Sequence, residues 1–304
     1  MKIGFIGAGN MGRHMARNVL SGSHEMKVFD ISREATRPLE EAGATRAGSP
    51  AEAASGAEIV FTSLPMPADV LEVAAGEGGA FSGMSTGAVL VDLSTVDPGT
   101  AQRLAEAGRG HGVHVVDSPV SGGTGGAEKG TLCLMVGGDK NVFEHVRPVL
   151  ELIGQPDRVI HCGEIGSGSV CKLANNMVGL STNVLLAEAF GMAAQYGVEA
   201  RTLYEVMSNS SGNSATLTNW SNSILRGDFS PGFMLDLAVK DIGLATELGR
   251  SQGLPMEAAN TAQQRFLEAK RRGWGRDATP VLGRLQEERV GKEFRFRDEE
   301  DGTG

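Results

Sequence analysis

The sequence predicts an α/β chain in two parts: a doubly wound, mainly parallel sheet over residues 1–164, then an all-helical part over 165–292. Three observations predict it. Short apolar runs alternate with helical stretches as far as about His161. A glycine-rich turn sits directly on the end of the first run. Beyond Gly166 the strand-like runs stop and helical periodicity takes over. A chain of 304 residues is also longer than one core usually supports.

Lys2–Ile6 reads as the first strand, followed by Gly7-Ala8-Gly9-Asn10-Met11-Gly12, a helix from about Asn10 to Leu20, and a second strand, Met26–Asp30. The G-x-G-x-x-G pattern alone is weak in a glycine-rich chain. Strand, turn, helix, strand and a terminal acid together make it a Rossmann-type dinucleotide fingerprint. Gly7 permits the tight turn, Gly9 lets a pyrophosphate approach the backbone, and Gly12 lets helix and strand pack closely. Asn10 and Met11 lie where the helix N-terminus offers N–H groups to phosphate. Asp30 suits the ribose hydroxyls of NAD and repels a 2′-phosphate, while Arg33, three residues on, leaves NADP open.

The alternation continues through strands at Glu58–Ser63, Ala88–Leu93 and Val113–Asp117, with a helix over Pro98–Gly108. Ligands of such sheets gather at the carboxyl ends of strands. That assigns Leu64, Pro65, Met66, Ser94 and Thr95 to the cofactor side, with ordinary loop chemistry as the plainer reading of Pro65 and Pro67. Ser118–Ala127 is a glycine-dense loop on a strand end, suited to holding a carboxylate on successive N–H groups; a flexible linker is the alternative. Thr131–Gly137, Asn141–Leu152 and Arg158–His161 complete the first part as strand, helix and strand.

A long helix over about 166–196 connects the two parts. Lys172, Asn175 and Asn176 share one of its faces. A solvated polar stripe is the plain alternative, but the flanks are apolar, and a buried amide left unpaired costs roughly 1–3 kcal/mol. Function is therefore preferred. Further helices are expected over 201–207, 215–226, 235–252, 256–271 and 281–286. Between them, Gly227–Asp241 reads from spacing alone as a loop with two core aromatics and an exposed Lys240–Asp241 pair. His111, His114, His145 and His161 show no ligand or triad spacing. Residues 293–304 are expected to be a disordered tail.

Composition narrows the partners. With 28 basic against 37 acidic residues and a net charge of −9, the chain is not expected to bind nucleic acid or anionic membranes. Three cysteines without CxxC spacing suggest a reducing compartment and no metal site. No signal segment and no run long and apolar enough to span a bilayer are read from the sequence, so a cytoplasmic location is expected.

Four blocks carry a family resemblance over almost the whole chain. They are Gly4–Gly12; Asp117-Ser118-Pro119-Val120-Ser121-Gly122-Gly123 with Gly126-Ala127 and Gly130-Thr131-Leu132; Gly166-x-Gly168-x-x-x-Lys172-x-x-Asn175-Asn176; and Lys240-Asp241-Ile242-Gly243-Leu244-Ala245. The chain resembles the β-hydroxyacid dehydrogenases, the group containing 3-hydroxyisobutyrate dehydrogenase and related to 6-phosphogluconate dehydrogenase. The resemblance implies that Lys172 is the catalytic general acid or base and that Asn176 hydrogen-bonds the substrate. It implies that Ser121, Gly122 and Gly123 grip its carboxylate, that Thr95 lies beside the nicotinamide ribose, and that Lys240 and Phe233 line the cofactor cleft. It also implies a small hydroxycarboxylate or semialdehyde substrate and a homodimer or homotetramer. Asn213 stands in Ser-Ser-Gly-Asn where relatives often carry Arg, which disfavours a dicarboxylate substrate. A tartronate or succinic semialdehyde-type reductase of the same family is the alternative; imine reductases share this architecture but usually replace the lysine, and a non-catalytic NAD-binding scaffold on this fold would be expected to lose the lysine or the glycine loop. A free lysine titrates near ~10.4; burial, or a second cation such as Lys240, is expected to bring Lys172 toward working pH.

Overall fold

The computed structural model describes residues 1–230 and 232–296. They form two compact units that meet after Leu173, inside the long helix.

The first unit is built on a nine-stranded sheet: β1 (Lys2–Ile6), β2 (Glu25–Phe29), β3 (Thr45–Arg46), β4 (Ile59–Thr62), β5 (Val89–Asp92), β6 (His114–Asp117), β7 (Val120–Ser121), β8 (Leu132–Gly137) and β9 (Gly154–Gly163). The order is β3-β2-β1-β4-β5-β6-β8-β7, with β9 also on β8. From β3 to β6 every pairing is parallel, as a βαβ alternation requires. Beyond β6 the mainly parallel sheet becomes mixed, because β8 runs antiparallel to both β6 and β7. The helices are α1 (Gly12–Ser21), α2 (Arg33–Glu41), α3 (Pro50–Ala54), α4 (Pro67–Ala75), α5 (Ala80–Gly83), α6 (Pro98–Gly110), α7 (Gly123–Lys129), α8 (Lys140–Leu150) and the start of α9 (Ser167–Tyr196).

Strands β4 and β5 are buried at every position, because helices cover both faces of the sheet. Successive residues feed opposite cores, as the two-residue period of a strand demands. Phe5, Phe61 and Val91 pack on one face; Ile6, Val60 and Leu90 pack on the other. Proline opens α3, α4 and α6, where its missing N–H costs nothing.

The second unit is all-helical: the remainder of α9, then α10 (Ala200–Ser208), α11 (Ala215–Ser221), α12 (Leu235–Ser251), α13 (Glu257–Arg271) and α14 (Gly283–Val290), with short 3₁₀ turns at Ile224–Arg226 and Thr279–Leu282. Leu180 and Val184 of α9 pack with Ile242, Phe266 and Leu285. Farther along, Phe190 stacks on Trp220, and Trp220 on Phe294. The Trp220 indole donates to Asn183 Oδ1 at 2.9 Å, which satisfies its one polar atom inside the core.

Two expectations are corrected here. The segment from Glu293 does not begin as a tail: Phe294 is buried, its N–H donates to Glu287, and Arg295 pairs with the same carboxylate. Residues 297–304 lie outside the described residues. The expectation that no run could span a bilayer also fails, since α9 is long and apolar enough by length and composition, with a mean hydropathy of 1.4. Of that apolar window, 44% is buried inside the protein, so much of it packs against the chain's own core.

Candidate active site

The dinucleotide turn has the geometry its glycines predict. Gly7 adopts a φ of +96°, and a side chain there would strike the Ser63 carbonyl. Gly12 lies against the Gly7 carbonyl. Above Gly9 a Cβ would meet no atom within 4 Å, so this backbone is open to a ligand. Asn10 is exposed, Met11 packs half-buried on the sheet core, and no side chain caps α1. Asp30 draws the turn together, accepting from Ala8 N at 2.7 Å and Ser32 N at 2.8 Å. A carboxylate oxygen has a second lone pair, so ribose hydroxyls can still bind it. Arg33 is exposed at the start of α2. Ile31, next to Asp30, is 96% exposed, an apolar side chain left at the rim of the turn. The sequence reading passed over it; an apolar residue directly after the terminal acid was the available signal. An open glycine turn, an uncapped helix and an acid at the strand end fit a dinucleotide.

At the neighbouring strand ends, buried Asp92 organises the loops. Its Oδ1 accepts from Thr62 Oγ1 at 2.8 Å and Ser94 N at 3.1 Å, and Ser94 Oγ accepts from Leu64 N at 2.9 Å. Leu64 is half-buried, Pro65 exposed and Thr95 half-buried on the two loops so joined. Burial pushes the Asp92 carboxyl above its ordinary range, and the nearby Asp117 adds to the shift. Asp92 was not singled out from the sequence, because an acid inside Val-Leu-Val-Asp-Leu reads only as the end of a strand.

Asp117, at the end of β6, fastens the start of α9. It accepts from Gly166 N at 2.7 Å, Ser169 N at 2.6 Å and Ser169 Oγ at 2.9 Å. Burial pushes its carboxyl upward, and these donors partly offset that. Gly168 is required here because a Cβ would strike the Met135 carbonyl of β8. The glycines of the Gly166-x-Gly168 block thus serve the docking of a helix onto the sheet.

Lys172 follows one turn later and is 8% exposed. It lies close enough to Cys133 to lower that thiol's pKa, against a larger upward push from burial. Cys133 pairs with Ser121 across β8 and β7. Ser121, half-buried, thus ends the strand paired with the one that carries Cys133, and the exposed Gly122 and Gly123 follow it directly at the start of the next helix. The glycine-dense stretch is not wholly a loop, since Gly123–Lys129 forms α7, held to α1 by Asn18 Nδ2 donating to the Ala127 carbonyl at 2.7 Å. Burial and the adjacent Cys171 thiol push Cys162 up to about 12, so it remains a thiol near neutrality. Among the described residues, no cluster of three or more His, Cys, Asp or Glu is arranged to hold a metal ion.

In the helical unit, Asn176 is 8% exposed and donates through Nδ2 to Asp241 Oδ2 at 2.7 Å. Asn175 Nδ2 donates to Asn176 Oδ1 at 3.2 Å. Lys240 Nζ lies 3.2 Å from Asp241 Oδ1, with side-chain exposures of 10% and 3%. The exposed Lys-Asp pair read from spacing is therefore wrong: Asp241 is buried and Lys240 half-buried. Phe233 is 39% exposed just before α12, and Asn213 sits in an exposed turn after α10.

An open dinucleotide turn followed by a buried lysine and amide on one helix defines a nicotinamide-dependent oxidoreductase. Residues 2–166 match the NAD binding domain of 6-phosphogluconate dehydrogenase, and residues 166–285 match the domain described as NAD-binding of NADP-dependent 3-hydroxyisobutyrate dehydrogenase. The chain is 38% identical over 288 residues to a mitochondrial protein of Dictyostelium discoideum named probable 3-hydroxyisobutyrate dehydrogenase, covering 92% of this chain and 89% of that one. It is 36% identical over 292 residues to 2-(hydroxymethyl)glutarate dehydrogenase of Eubacterium barkeri, covering 96% of each. The solved structure of Mycobacterium tuberculosis 3-hydroxyisobutyrate dehydrogenase with L-serine superposes with a TM-score of 0.84 at 29% identity, over 93% of this chain and 98% of that one. The chain belongs to the β-hydroxyacid dehydrogenase family and is an NAD(P)-dependent dehydrogenase of that family.

Proposed function

We propose that this protein oxidises a small 3-hydroxy monocarboxylate, of the size of 3-hydroxyisobutyrate, using NAD, and reduces the matching semialdehyde in the reverse direction. The supporting observation is a buried lysine near Cys133, whose strand pairs with the one that carries Ser121, on a helix whose next turn presents a buried amide. In this reading Gly7, Gly9, Asn10, Met11 and Gly12 hold the pyrophosphate, and Asp30 holds the adenosine ribose. Leu64, Pro65 and Thr95 border the nicotinamide side. The nicotinamide ring, when bound, accepts the hydride. Lys172 takes the hydroxyl proton as the carbinol carbon is oxidised and returns it in reverse. Ser121, Gly122 and Gly123 hold the carboxylate, and Asn176 holds the reacting oxygen. The resemblance gives Lys240 and Phe233 a cofactor-facing role.

Asn213 in place of an arginine removes one clamp for a second carboxylate, which supports a monocarboxylate although a hydroxymethyl-dicarboxylate enzyme is among the relatives. The charge of Asp30 supports NAD over NADP. A homo-oligomer fits the same reading: Val178, Leu185 and Met192, spaced seven apart on α9, are 63%, 64% and 72% exposed. A second copy would cover that stripe.

The test is absorbance at the reduced-nicotinamide band with NAD or NADP and a panel of 3-hydroxyacids, run with Lys172→Ala alongside. NAD-preferring turnover that falls by about 10²–10⁴-fold in the variant is expected. A folded Lys172→Ala protein with near-wild-type turnover would sink the mechanism.

A further inference from the structure

The amide of Asn176 has two faces with opposite chemistry, and its usefulness depends on which one is turned to the substrate. An amide can rotate by half a turn at little intrinsic cost, exchanging its donor and acceptor edges. Asp241 removes that freedom. As a carboxylate it only accepts, so Nδ2 of Asn176 must face it, as it does at 2.7 Å. The opposite orientation would set the Asn176 oxygen against a buried carboxylate oxygen. With Nδ2 committed, Oδ1 accepts from Asn175 at 3.2 Å. One N–H and one oxygen lone pair then remain on Asn176 for a ligand. Asp241 is itself 2% exposed on α12, and its other oxygen, which accepts no hydrogen bond among the described residues, lies 3.2 Å from Lys240 Nζ in an ion pair.

We propose that Asp241 is a positioning residue that locks the Asn176 amide in the one orientation that presents its free lone pair and remaining N–H to the reacting hydroxyl or aldehyde oxygen. This rests on the proposed function, because it assigns Asn176 to the substrate. Asp241 acts through Asn176 and touches no reacting atom.

The experiment is a double-mutant cycle on the full-length protein. kcat/KM for the best hydroxyacid is measured in wild type, Asn176→Ala, Asp241→Asn and the double variant. In Asp241→Asn the partner amide accepts either orientation of Asn176, and a loss of about 10- to 100-fold is expected. In the Asn176→Ala background the same change is expected to cost nothing further, because the group it positions is gone. A fourth protein, Asn176→Asp with Asp241→Asn, rebuilds the buried pair with its polarity reversed. It keeps the fold testable if Asp241→Asn alone unfolds. It is expected to recover the wild-type melting temperature but not turnover. Wild-type kcat/KM in Asp241→Asn, an equal loss in both backgrounds, or turnover recovered by the reversed pair would each overturn the role while leaving the dehydrogenase reading intact. A wild-type protein that turns over no hydroxyacid would overturn both.

Discussion

The seating of α9 on the sheet can be tested at Asp117. Replacing it with alanine removes the acceptor for Gly166 N, Ser169 N and Ser169 Oγ. Gly166 and Ser169 are both buried, so water does not replace it. The hydroxyl can rotate toward another acceptor, but the two backbone N–H groups cannot. Each costs about 1–3 kcal/mol when left unmade. Part of that is offset, because burial already disfavours the Asp117 carboxylate. The expected net loss is roughly 2–4 kcal/mol. Ser169→Ala, which keeps the backbone bond, is expected to lose only about 1 kcal/mol. The assay is the shift in urea midpoint at unchanged slope. Turnover supplies the second readout, since Lys172 sits one turn beyond Ser169 and a shift of about 1 Å at a reacting group costs on the order of 10²-fold. A folded Asp117→Ala protein with a wild-type midpoint would refute the anchoring. Lost stability with unchanged kcat would refute the link from this anchor to Lys172.

Two further outcomes are expected. Burial raises the Asp92 carboxyl above its unfolded value, so the folded state favours its protonated form. Its contribution to stability is full below the unfolded range and is lost as pH rises through the folded value. Asp92→Asn lacks that loss, so its melting temperature relative to wild type should climb by a few degrees from pH 4 to pH 8 in thermal scans; a constant or shrinking gap would refute the assignment. Leu185→Glu places a charge in the exposed apolar stripe of α9 and should shift the protein to monomer in sedimentation, whereas an unchanged particle would show that this stripe does not hold copies together.

How much of this was legible in the sequence follows from how local each feature is. The turn from Gly7 to Gly12 and the strand ends at Asp30, Leu64 and Thr95 could be read because a local apolar run marks each strand, even though Asp30 bonds Ala8 and Leu64 bonds Ser94 from other strands. The polar face of α9 could be read because helical spacing alone puts Lys172 and Asn176 together. The seven residues of α7 could not, since three glycines in its first four residues hide a helix that depends on Ala127 being buried and bonded by Asn18, more than a hundred positions away. Thr131–Gly137 reads as a strand, but the two-residue β7 and the antiparallel direction of β8 were hidden for the same reason. Lys240 and Asp241 looked exposed because adjacent charges usually are; Asn176, from another helix, supplies the donor that lets Asp241 be buried. Phe294 was assigned to a tail by the charges that follow it, while its burial is decided by Trp220 and Phe190.

Two aspartates that the sequence reading left without a role share one chemistry. Asp117 and Asp241 are both buried carboxylates, each inside its own unit, and each receives N–H groups from α9. A neutral acceptor would satisfy the same donors with a smaller desolvation cost. It would not specify them, because a hydroxyl or an amide can turn and donate instead. A carboxylate only accepts, so it admits one orientation of whatever faces it. Asp117 holds the backbone that leads into Lys172, and Asp241 holds the side chain of Asn176. Along α9 those two groups are spaced by a single helical turn. What the turn leaves unset is its own seating and the flip of an amide, and each of those falls to one buried aspartate.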